Sequence, residues 1–233
     1  MKRTEYAPYT GFGVEYVRNP QKMNMKMQHY HDSYELYLQT AGERTLLLND
    51  LRYMLRPGDL YFLKPFELHY TKSYESSYYE RYLMNIPASC LSPILTESEA
   101  AALFGSLDSC VLHLDEKQTA EILDYFRKAE DYGHRKGFLT EKLLCSTVLQ
   151  TLVFVSELLK QEEISEGLSA ERIPEEIVSA IRFINRHYNE PVSLEQAAER
   201  AHMSRYHFCR IFHSATGATF LEYLYNVRLA KAH

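Results

Sequence analysis

His29, His31 and Glu35 share parity, so in an extended strand, where side chains alternate between faces, all three point to one side. Two imidazoles and a carboxylate converging inside a β-barrel form a donor set suited to zinc, iron, nickel or manganese. The same groups can instead hydrogen-bond a polar small molecule, water or one another. A fourth metal ligand would have to come from elsewhere in the chain. A second chemistry lies near the C-terminus. Tyr206, Cys209, Arg210 and His213 recur at helical spacing opposite an apolar stripe of Phe208, Ile211, Phe212 and Ala215. A helix with one buried and one offered face can lie in the major groove of DNA, where an arginine such as Arg210 can bond guanine O6 and N7 together. Arg205, in the first turn behind the N-cap Ser204, is placed for a phosphate.

Positioning the first group requires strands. From Met23 to about Ile86, short runs rich in Tyr, Leu and Phe alternate with turn signals at Ala41-Gly42, Asn49-Asp50, Pro57-Gly58-Asp59 and Lys64-Pro65. After Pro93 the pattern becomes helical. Thr96 and Glu99 form a capping-box pattern, and Asp115 can cap a helix to about Tyr132 that carries Ile122, Leu123 and Phe126. Gly133 and Gly137 mark a break. A longer helix over 138–161 then repeats Leu144, Val148, Thr151, Val155 and Leu158, a broad stripe that can pack on the barrel, on a second copy of itself, or on both.

The second group requires a helical bundle. The polar stretch from Glu162 to Arg172 reads as a linker, placed at 166–173. Pro174 opens a helix with Ile177, Ala180, Ile181 and Ile184 on one side. Ser193 with Gln196 starts a second, whose small inner residues Ala197, Ala198 and Ala201 permit close packing, and Ser204 starts a third that stops at Gly217.

Composition sets the frame. The chain has 233 residues, 45% of them apolar, enough to bury a sizeable core. No secretory signal pattern opens it, and Val148 to Leu159 is too short and too interrupted to cross a bilayer, so the expectation is a cytoplasmic protein without a membrane partner. Cys90, Cys110, Cys145 and Cys209 lack metal-site spacing and read as reduced thiols. Residues 1–171 carry 18 basic against 25 acidic side chains, whereas 172–233 carry 8 against 6 and five of the ten histidines. The positive excess falls on the segment with the groove-shaped helix.

Ser193 to Ala198, His202-Met203-Ser204, Phe208 to Phe212 and Gly217 together resemble the first helix-turn-helix of the AraC family of regulators, over about 174–233. Phe220 to Leu224 and Val227 to Ala230 look like the start of that family's linker helix. By this resemblance Tyr206, Cys209 and Arg210 occupy groove-facing positions, with Cys209 replacing a more usual larger polar residue and His202 standing where the turn often has Gly. The second helix-turn-helix that the family implies would follow His233, so weak, salt-sensitive binding of double-stranded DNA is expected of 1–233.

His29-x-His31-x-x-x-Glu35, with Gly42 beyond it, is similar to the first cupin motif, and Pro57-Gly58-Asp59 with Lys64 to His69 is similar to the second, with Glu67 in place of Gly and a shortened step to His69. The resemblance implies His69 as the fourth member of a set with His29, His31 and Glu35. It also implies small-molecule binding, a sugar among the candidates. Tyr34, Tyr37, Tyr53, Tyr61 and Tyr70 read first as core, with Tyr37 foremost among those that can line a pocket, since a tyrosine offers an apolar face to a sugar ring and a hydroxyl to its polar edge.

The expected fold is α+β: residues 1–165 form a cupin-like ligand-binding and dimerisation domain, with a barrel over about 10–90 and helices over about 96–162. An all-α helix-turn-helix domain at 174–233 follows, the first half of an AraC-type double unit. The expected function is ligand-responsive transcription regulation by a homodimer joined through helix 138–161, without catalysis. A metal-dependent cupin enzyme, an isomerase or dioxygenase, is the alternative; it leaves the C-terminal helices without a role.

Overall fold

A computed structural model describes residues 12–19, 31–48, 51–67, 69–73, 78–135, 137–160 and 170–231. The first strands are β1 (Gly13–Asn19), β2 (Tyr34–Ala41), β3 (Arg44–Leu48), β4 (Leu51–Leu55), β5 (Asp59–Leu63), β6 (His69–Ser73) and β7 (Tyr79–Ile86). Helix α1 (Glu97–Gly105), strand β8 (Cys110–His113), α2 (Glu116–His134), α3 (Phe138–Lys160) and strand β9 (Ala170–Arg172) follow. The C-terminal helices are α4 (Glu175–His187), α5 (Leu194–Arg200), α6 (Arg205–Thr216) and α7 (Phe220–Lys231).

Two sheets face one another, in strand order β1-β7-β2-β5-β8 and β6-β3-β4-β9. Alternation along each strand sends one set of side chains between the sheets and the other outward. Tyr37, Tyr61, Leu63 and Val111 of the first sheet meet Leu46, Leu48 and Leu55 of the second in one inner cluster. The outward residues of the first sheet, among them Leu36, Leu38, Leu60, Phe62 and Met84, are covered by Ile122, Phe126, Leu144, Val148, Leu152 and Val155 of α2 and α3. The outward Leu47 and Tyr70 of the second sheet share a core with α4, α5, α6 and α7. Four layers result: helices α2 and α3, the first sheet, the second sheet, and helices α4 to α7. Both faces of both sheets contribute to buried clusters, so runs such as Arg44–Leu48 and Asp59–Leu63 are buried throughout.

The capping signals are realised. Thr96 with Glu99, Asp115 with Gln118 and Ser193 with Gln196 each form a reciprocal capping box, and Gly217 closes α6 in the left-handed conformation at φ 73°.

Two boundaries differ from the sequence reading. The region after Pro93 is not wholly helical: Cys110–His113 returns as β8 beside β5, completing the first sheet. The linker placed at 166–173 contains β9, which pairs with β4 from Tyr53↔Ala170 to Leu51↔Arg172, so that part of it belongs to the barrel. Both strands are too short to show a clear period of two. Helix α3 is also longer than the interrupted stretch considered above, and by length and apolarity it could cross a membrane. Its buried stripe, Leu144 to Leu158, packs instead in the shared core of α2 and the first sheet.

Candidate functional site

Glu35 lies on the inner face of β2 with its side chain 2% exposed. Tyr61, on the adjacent strand β5, donates its hydroxyl to Glu35 Oε1 at 2.6 Å. His31 Nε2 donates to Glu35 Oε2 at 2.8 Å, and His69 Nε2 from β6 of the opposite sheet lies 3.6 Å from Oε1. The His31 and His69 rings meet edge to face at 5.1 Å. Each imidazole has its Nδ1 held by a main-chain carbonyl, that of Ser33 at 2.7 Å for His31 and that of Glu67 at 2.9 Å for His69. Both therefore turn Nε2 toward the carboxylate.

Burial disfavours a charge on Glu35, but His69, His31 and the Tyr61 hydroxyl outweigh it and hold the carboxyl far below the usual carboxylate range. Burial also works against a charge on His31, yet its bond to Glu35 and that carboxylate's charge raise its pKa. With acceptors on both ring nitrogens, His31 is satisfied as an imidazolium.

The metal set predicted from sequence is brought together in part. One donor atom each from His31, Glu35 and His69 lies within 4.8 Å of the others. Two imidazoles whose Nδ1 atoms are tied to carbonyls, facing one carboxylate, match how metal-binding histidines are oriented, so these residues fit a divalent ion. His29 lies outside the described residues. The shared-parity argument does not hold at His31: β2 begins at Tyr34, after a bend at Asp32 and Ser33. His31 reaches Glu35 across that bend instead.

Tyr37 is buried on the same inner face, stacked on Tyr61 at 4.5 Å and 10°, with its hydroxyl donating to Gln39. Tyr61, one of the tyrosines read from sequence as core or pocket-lining, is joined there by Gln39, Arg44, Thr71 and Arg81 in a polar interior that the sequence did not reveal. Arg44 donates to Thr71 at 3.1 Å and lies 4.0 Å over the Tyr79 ring, while Arg81 donates to Glu15 at 2.8 Å. Same-face parity with Glu35, applied to Tyr37 and Gln39, was the available signal.

In the helical domain, Phe208, Phe212 and Ala215 of α6 are buried, and Ser204, Arg205, Tyr206, Cys209, Arg210 and His213 are all exposed, Tyr206 at 84%. Ser204 Oγ accepts the His207 amide as the N-cap. Arg205 is held by Glu195 of α5 at 2.7 Å, and Arg210 Nη2 lies 3.5 Å from His207 Nδ1. Between α5 and α6 the chain turns at His202, φ 52°, with the Met203 amide donating to Ala198 O at 3.0 Å. Two short helices joined by a tight turn, with the second presenting a basic, hydrogen-bonding face, form a helix-turn-helix reader. Glu195 was not anticipated as the partner of Arg205.

Residues 12–139 match the AraC-like ligand binding domain, and residues 184–224 match the bacterial regulatory helix-turn-helix proteins of the AraC family. The chain belongs to the AraC family: it is a DNA-binding transcription regulator with a ligand-binding domain. It is similar to the HTH-type transcriptional regulator YbfI of Bacillus subtilis strain 168, 24% identical over 206 residues that cover 88% of this chain and 71% of that protein. Among solved structures, ToxT from Vibrio cholerae is 12% identical with a TM-score of 0.42, covering 92% of this chain and 98% of its own. A cupin protein from Methanocaldococcus jannaschii is 21% identical with a TM-score of 0.31, covering 37% of this chain and 74% of its own.

Proposed function

We propose that a polar small molecule binds between the two sheets at the cluster of Glu35, His31, His69 and Tyr61, and that its binding alters DNA reading by Arg205, Tyr206, Cys209, Arg210 and His213 without being turned over. The carrying observation is Glu35, 2% exposed inside the barrel, which accepts hydrogen bonds from Tyr61 and His31 and has His69 of the opposite sheet 3.6 Å away. Such a carboxylate is costly unless its partners are fixed, and fixed partners make a preformed recognition point. Tyr37 and Gln39 extend this polar strip. A divalent ion held by His31, Glu35 and His69 would supply a Lewis-acid anchor for an oxygen-bearing effector. Without an ion, an effector would be positioned by exchanging for the bonds within the cluster, taking the place of Glu35 as acceptor for Tyr61 or His31, or the place of those groups as donor to Glu35.

The dimer reading is supported by α3. Leu139, Leu143 and Val153 are exposed on one stripe of this helix, opposite the face that packs on the barrel. Sedimentation of the parent protein and of Leu143→Glu tests it; a monomer at micromolar concentration in both overturns it.

The functional test is fluorescence anisotropy with duplex DNA from the region upstream of the gene, at several salt concentrations, with zinc, nickel or manganese and a panel of sugars and organic acids. Binding that weakens with salt and with Arg210→Ala, and that a compound shifts only while Glu35 and His69 are intact, is expected. DNA binding that no compound shifts, together with product formation from a compound that binds the barrel, would favour catalysis.

A further inference from the structure

Strand β6 contributes to two buried environments at once. His69, 0% exposed, faces inward and closes on Glu35. Tyr70, the next residue, faces outward and belongs to the core of the helical domain. The neighbouring strand β3 repeats this division, since Leu48, paired with His69, lies in the inner cluster, and Leu47, paired with Tyr70, lies in the helical one. The Tyr70 ring abuts Gly217, the left-handed residue that ends the recognition helix α6. A Cβ built on Gly217 would stand 2.6 Å from Tyr70 Cε1, so the ring lies where only glycine permits it.

We infer that β6 couples the Glu35-centred site to the DNA-reading helix, with His69 sensing the site and Tyr70 setting the position of α6 through Gly217, a proposal that rests on the effector reading above. A strand is inextensible, and adjacent side chains share one backbone, so a twist or shift of β6 that re-seats His69 must displace Tyr70 on the other face. Close packing on both sides leaves little slack to absorb that displacement. The contact is also small enough to be biased, because among the described residues the barrel strands' buried share of this core is Leu47 and Tyr70. The reading face of α6 points away from the contact and stays exposed, so the coupling changes where the helix is held without covering it.

The test needs no effector. Amide hydrogen exchange at Gly217 and Ala218 is measured in the parent chain, His69→Gln, Tyr70→Ala and the double variant, with the β2 and β5 amides as the control for an intact barrel. His69→Gln is expected to accelerate exchange at Gly217 and Ala218 by about threefold to thirtyfold while Tyr70 is present, and to add nothing once Tyr70 is Ala. Tyr70→Phe, which keeps the ring, should preserve the response. If His69→Gln opens the barrel control as well, Glu35→Gln provides the same perturbation from the opposite sheet. An unchanged exchange rate at Gly217, or an equal acceleration with and without Tyr70, would overturn the coupling. Failure of every compound to bind the barrel would remove the effector reading but leave this cycle intact, so the two failures are distinguishable.

Discussion

Replacing Gly217 by Ala tests the joint between the barrel and the DNA-reading domain with one methyl group. Gly217 has φ 73°, a conformation that costs an alanine about 1–2 kcal/mol relative to right-handed backbone. The new Cβ would also stand 2.6, 3.0 and 3.1 Å from Cε1, Cζ and the hydroxyl oxygen of Tyr70. Tyr70 is buried against Leu47 and the helical core, so its ring can retreat only by opening that packing, at a further cost of about 1–3 kcal/mol. The smaller conformational entropy of Ala in the unfolded chain returns about 0.5 kcal/mol. The net expectation is a loss of about 2–4 kcal/mol. Thermal unfolding by calorimetry reads this as a fall of about 2–4 °C for each kcal/mol in a chain of this size. In a Tyr70→Ala background the overlap disappears, and Gly217→Ala should then cost only the backbone part less the same entropy return, about 0.5–1.5 kcal/mol. Equal losses in both backgrounds would refute the claim that Tyr70 occupies the space a side chain would need.

Three further substitutions address the separate sites. His202 occupies the left-handed region in the turn between α5 and α6, so His202→Gly should raise stability by up to about 1 kcal/mol after the entropy of glycine is subtracted; a measured loss would show the turn to be unstrained. Glu35→Gln removes a carboxylate bonded by Tyr61 and His31, and should cost about 2–4 kcal/mol in urea unfolding with chelator present; a neutral result would mean those bonds do not form in solution. Glu195→Gln releases Arg205 from its exposed ion pair and removes a negative charge beside the reading helix, so DNA should bind more tightly, about twofold to fivefold at low salt, with the gain fading as salt screens it. Weaker binding would instead make Glu195 a necessary brace for Arg205.

Local rules made most of the helical half legible. Ser193, Gln196, Ser204 and Gly217 fix helix ends through bonds made within a few residues, and the Phe208, Phe212 and Ala215 stripe follows from a period of 3.6, so these assignments survive without knowledge of the rest of the fold. The barrel was legible as strand-rich, but its inner site only in part. Glu35, His69 and Tyr37 do face inward, whereas His31 arrives through a bend that strand parity does not describe. Strands β8 and β9 were missed for one reason: a run of three or four residues earns its structure from an edge already present, at β5 for the first and β4 for the second.

Tyr70 marks the deeper limit. Its aromatic character suits a core, but sequence alone does not reveal that the core it joins lies beyond the sheet, in a domain more than a hundred residues along the chain. A strand buried on one face announces itself by alternating polar and apolar residues. β6 has interfaces on both faces, so His69, Tyr70 and Thr71 are all buried and the alternation is erased. The feature that hides β6 from a periodicity argument is thus the one that lets it reach the Glu35 cluster and the Gly217 end of α6 at neighbouring residues, and a substitution confined to one face of this strand should be felt on the other.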